Sequence, residues 1–116
     1  MAGQLRTVNL EQGMPQVAQA LRRLDGELYT SKRMGAAVTK LIHGYGSSGV
    51  GGKIRVAVRK ELAARKAKGE IADFIPGEEF SIFNESTRRA IIKCEALRQD
   101  QDLERYNNGV TFVVSK

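Results

Sequence analysis

The chain has 116 residues, a single Cys and 19 Lys+Arg against 13 Asp+Glu, for a formal net charge of +6. That length suits one domain, residues 1–116, with room for a buried core, and one Cys excludes a disulfide-stapled scaffold. No apolar run approaches the ~20 residues that cross a bilayer. Met1 to Arg6 carries no apolar signal-like stretch, so the expectation is a cytoplasmic protein that does not engage a membrane.

Leu5, Thr7, Val8 and Leu10 predict a short first strand, turned by Glu11-Gln12-Gly13. Pro15 suits the first turn of a helix, and Val17, Leu21, Leu24 and Leu28 share one face of it. Gly35 is its stop. Ala36 to Ile42 is nearly continuous apolar sequence, interrupted only by Thr39-Lys40, and predicts a buried strand. His43 to Gly52 holds five glycines in ten residues and reads as a loop. A second helix is expected over about Gly52–Lys68, with Ile54, Val58 and Leu62 at i, i+4 spacing. Ile71 to Ile75 is a third strand, closed by Pro76-Gly77. Phe80 to Phe83 reads as either a short strand or a packed loop. Asn84 is placed to cap a third helix running to about Leu97, with Ile91, Cys94 and Leu97 on one face. Asp100 to Asn108 is polar and loop-like, and Val110 to Val114 is the last strand.

The order β-α-β-α-β-(α)-β predicts an α/β two-layer sandwich, a small mixed four-stranded sheet with helices. The first two strands, joined by a full helix, are expected to be parallel with a right-handed crossover.

The charge is concentrated. Residues 51–68 carry seven basic side chains against Glu61 alone, whereas residues 69–116 are net acidic. Such a stripe is the footprint of a polyanion binder, or equally a solvated helix face. What precedes it adds to the first reading. Backbone N–H groups of a glycine loop, followed by a helix N-terminus with Lys53 and Arg55 in its first turn, suit an anion, most simply a phosphate. A nucleotide P-loop is excluded: Ser47 stands where its first Gly belongs, and Ile54 where Ser or Thr belongs. Gly44-Tyr45-Gly46-Ser47-Ser48-Gly49 matches a dinucleotide fingerprint. The chain is too short for the doubly wound sheet that fingerprint serves, and no acidic residue ends a strand at the right distance.

Leu41-Ile42-His43-Gly44-Tyr45-Gly46, then Ile54-Arg55-Val56-Ala57-Val58, then Asn107-Asn108-Gly109-Val110-Thr111-Phe112-Val113-Val114 resemble, in this order, the hallmarks of the Smr (small MutS-related) domain family. The resemblance spans nearly the whole chain. It implies a fold like the C-terminal domain of the third bacterial initiation factor. It also implies DNA or RNA binding, and in many members nicking of the nucleic acid. The family's opening Leu-Asp-Leu-His-Gly is altered to Val8-Asn9-Leu10-Glu11-Gln12, with Gly13 one place late. Residues 77–106 read as a family-variable insertion with an extra helix.

His43, the only His, is the candidate general base or phosphate contact, or else a histidine that shapes its turn. Glu11 is expected near it, as a replacement catalytic group or a solvated turn residue. Lys53, Arg55 and Arg59 are the expected phosphate partners, with His43, Gly44, Tyr45, Gly46 and Thr111 completing a nucleic-acid-binding set. Tyr45 can stack on an unpaired base or pack on the sheet. No metal-ligand set is recognisable, so no cofactor is expected, a divalent metal entering only with nuclease chemistry. The leading expectation is thus a DNA- or RNA-binding module. A weak nicking endonuclease using His43 is the alternative. A protein-interaction module, docking a basic partner or forming a homodimer through the acidic 70–104 segment, is the third.

Overall fold

The computed structural model describes residues 3–45 and 50–116. Four strands form one sheet: β1 (Gln4–Asn9), β2 (Ala36–Ile42), β3 (Asp73–Pro76) and β4 (Val110–Val114), in the order β1-β2-β4-β3. β1 runs parallel to β2, setting Val8 beside Leu41 and Asn9 beside Ile42. β4 is antiparallel to both its neighbours, so Thr111 lies between Leu41 and Pro76. The sheet is therefore mixed, as expected.

Two long helices, α1 (Val17–Met34) and α2 (Val50–Ala67), connect β1 to β2 and β2 to β3. Their apolar stripes meet one face of the sheet, where Leu24, Ile54, Val58 and Leu62 close over Val8, Leu41 and Val113. α1 begins after Pro15, because the Gln19 side chain reaches back to accept from the Gln16 N–H at 2.9 Å and fixes the start there. α2 begins two residues earlier than expected and includes Gly51-Gly52.

The second face of the sheet is covered by the segment after β3. A 3-10 turn at Gly77–Glu79 leads to Phe80, which is buried against Phe112 with ring centroids 4.0 Å apart. Phe80–Phe83 is thus a packed loop. α3 (Glu85–Lys93) starts as expected, with Asn84 Oδ1 accepting from the Thr87 N–H at 2.9 Å. It ends at Cys94 instead of Leu97, and residues Glu95–Gln99 form a 3-10 turn. The spacing explains the change. Ile91, Cys94 and Leu97 are three apart and all buried, and three residues per turn is the 3-10 period.

Strand alternation places Lys40 on this second face, buried, with its ammonium 3.0 Å from Asp100 and 2.6 Å from Asp102. The polar stretch Asp100–Asn108 is loop-like but is tied to the sheet by these two carboxylates. Burial alone would lower the Lys40 pKa; the hydrogen bonds and charges of Asp102 and Asp100 overcome that and raise it.

Candidate functional site

The topology gathers the chemistry-bearing residues at one end of the sheet. β1, β2 and β3 all end there, β4 begins there, and α2 starts there. In open α/β sheets this is the end where ligands bind. The turn after β1, the His43 turn, Gly77-Glu78, the Asn107–Gly109 turn and the first turns of α2 therefore share one neighbourhood.

His43 lies at its centre and is fully buried. Its Nδ1 is 2.8 Å from the Gly44 carbonyl oxygen, which can only accept, so Nδ1 carries the proton. Nε2 is then the acceptor, and Thr111 Oγ1 donates to it at 2.8 Å. Arg59 Nε donates in turn to Thr111 Oγ1 at 3.1 Å. Burial chiefly lowers the His43 pKa, to about 4, and the Arg59 and Arg55 charges add to this against the opposing bond to Gly44. The imidazole is neutral at neutral pH, with both nitrogens engaged: this is the turn-shaping geometry. Gly44 has φ +77, and a Cβ there would run into the Glu11 carboxylate, so only glycine suits the position. The Glu11 carboxylate lies against Gly44, the residue after His43, and not against the imidazole, whose partners are Gly44 and Thr111. Asn9 turns the chain after β1, its Oδ1 accepting from the Glu11 N–H at 2.9 Å.

The basic residues divide. Arg59 is already committed: it holds Glu78 with two hydrogen bonds of 2.8 and 2.7 Å, and also reaches the carbonyl oxygens of Asn108 and Val110. Its expected role as a phosphate partner is replaced by an internal one. The desolvation of Glu78 would raise its pKa, but its hydrogen bond with Arg59 holds it below the usual value. Thr111, also expected to touch phosphate, is buried with its hydroxyl used in both directions. The Gly44 amide, expected to face an anion, is spent on the Gly109 carbonyl at 3.0 Å. Lys53 is exposed and Arg55 half-buried; Arg55 stands close enough to act on both His43 and Glu78. Tyr45 is exposed beside Gly109. Gly46 lies outside the described residues.

Sequence reasoning missed Glu78, which follows the Pro76-Gly77 strand end. A Cβ on Gly77 would clash with Asn107 and Val110, so that glycine lets the two turns touch and brings Glu78 to Arg59. Four of the nine carboxylates in the acidic 70–104 segment pair with basic side chains from elsewhere in the molecule: Asp73 with Lys66, Glu78 with Arg59, and Asp100 and Asp102 with Lys40. Among the described residues no three His, Cys, Asp or Glu side chains are grouped to hold a metal, and no helix is long and apolar enough to cross a membrane. A separate cleft of about 790 Å³ lies between α1, the end of α2 and the end of β4, around Ser31, Thr39 and Arg65, and shares no residue with the His43 network.

No protein-family model and no curated protein matches the sequence. The crystal structure of the Smr domain of Thermus thermophilus MutS2 does match in three dimensions. The two are 24% identical, with a TM-score of 0.58 over 96% of this chain and 98% of that one. With the mixed sheet and its helices already described, this likeness establishes the architecture: the chain has the fold of an Smr domain.

Proposed function

We propose that this domain binds DNA or RNA by its phosphates at the His43 end of the sheet. The observation that carries the reading is the placement of cations there. α2 begins at this end of the sheet, with Lys53 exposed and Arg55 half-buried in its first turns and within electrostatic reach of His43. Lys53 and Arg55 are the direct phosphate contacts, and the N-terminal end of α2 adds its partial positive charge. His43, Thr111, Arg59 and Glu78 form the rigid support behind them. They fix the His43 turn and α2 to β4 and to the turn after β3. The structural likeness to the Smr domain of a MutS2 protein is in keeping with this reading. Phosphate contacts of this kind give affinity with little sequence readout.

The test is fluorescence anisotropy with labelled oligonucleotides of several sequences. Lys53→Gln/Arg55→Gln weakens binding to all of them alike. A loss confined to one sequence would mean base readout, and unchanged binding would contradict the site. Cleavage using His43 is the competing activity. A buried ring with both nitrogens occupied favours binding over chemistry, so wild type and His43→Gln should show equal background nicking with and without Mg²⁺.

A further inference from the structure

The chain has no Trp and three Tyr. Two of them, Tyr45 and Tyr106, flank the Asn107–Gly109 turn at the His43 end, and they are 58% and 67% exposed. Tyr45 lies against the Gly109 backbone, its Cδ1 3.2 Å from where a Cβ on that glycine would stand. Tyr106 has φ +55, a conformation that bulky side chains rarely adopt. The neighbouring contacts hold it there. Asn107 Nδ2 donates to Asp102 Oδ1 at 2.9 Å, Asn107 Oδ1 accepts from the Gly109 N–H at 2.9 Å, and the Asn107 carbonyl packs against Gly77. A strained backbone that presents a large ring to water forgoes both conformational energy and burial, and such outliers cluster at ligand sites.

We propose that Tyr45 and Tyr106 are a stacking platform for two unpaired bases, so that the preferred ligand is single-stranded nucleic acid. This rests on the nucleic-acid reading above and names its substrate class. Every base offers a π-face to an aromatic ring, but in a duplex those faces are covered by neighbouring base pairs. Cationic Arg55 at the same end supplies the phosphate contact that a stacked single strand needs. The charge complements a polyanion in a way that an apolar protein partner would not use.

The absence of Trp makes tyrosine fluorescence the direct readout. The probes are a single-stranded oligothymidylate and a duplex hairpin of the same phosphate count, at one salt concentration. The single strand should bind more tightly and quench the tyrosine emission. Tyr45→Leu and Tyr106→Leu should each weaken single-strand binding by on the order of tenfold and leave duplex binding unchanged. Tyr45→Phe and Tyr106→Phe, which keep the rings, should retain single-strand affinity. Circular dichroism of each variant shows that it is folded. Leu variants that bind the single strand as wild type does, or that lose duplex and single strand equally, overturn the platform while Lys53→Gln/Arg55→Gln still reports on phosphate binding. Failure of wild type to bind either probe overturns the phosphate site and the platform together.

Discussion

A buried, neutral His43 couples the stability of the domain to pH. Its pKa is about 4 in the folded chain against 6.5 for a free imidazole. Between those values the unfolded chain binds a proton that the folded chain refuses. Stability is therefore complete above pH ~6.5 and falls as pH drops toward ~4, by about 3 kcal/mol in all. His43→Gln should flatten this slope, as read by urea unfolding at pH 7, 5.5 and 4; an unchanged slope would mean that His43 is not the titrating group. Glu11 presents the same sign of charge as an approaching phosphate. At ~4 Å and an effective dielectric of ~20, two unit charges repel by about 4 kcal/mol. Glu11→Gln should therefore leave nucleic-acid affinity in chelator unchanged or raise it, and a clear loss in a binding titration would make Glu11 a direct contact. That Glu11 comes to the turn after β2 was legible in the sequence, because a helix between two adjacent strands makes them parallel and their ends coincide; that it faces Gly44 was not. The commitment of Arg59 was not. Its partner Glu78 lies 19 residues on, beyond another strand, and no local pattern announces that pairing.

At the scale of elements, each strand and the two long helices were legible from apolar period and glycine stops, with ends moved by a residue or two. α3 was overextended because a three-residue apolar spacing fits both an irregular helix face and a 3-10 turn, and Cys94 divides the two. The burial of Lys40 was hidden for a different reason. Its carboxylate partners are 60 and 62 positions away, in a stretch that is polar by composition. Together they fasten the loop after α3 to the middle of β2. Lys40→Met leaves two carboxylates beside an apolar sheet without a counter-ion, and such breaks cost about 3–5 kcal/mol. The melting temperature should fall sharply in Lys40→Met and recover in Lys40→Met/Asp100→Asn/Asp102→Asn. A Lys40→Met protein as stable as wild type would mean that the triad contributes no net attachment.

Over the whole molecule, one topological fact organises the site: three strands end, one begins and α2 starts on the same side of the sheet. The basic stripe of residues 51–68 is thereby split. Arg59 turns inward to Glu78 and Lys66 pairs with Asp73 at the surface, while Lys53 and Arg55 stay at the open end. The net charge therefore overstates the number of cations free to meet a phosphate. Binding measured as a function of salt counts them. Log affinity against log salt for a single strand should fall with a slope of roughly −2 to −3.5 in wild type, and Lys53→Gln/Arg55→Gln should flatten it by about 1.4. A wild-type affinity indifferent to salt, or a slope that survives the double substitution intact, would contradict a phosphate-binding site at the His43 end.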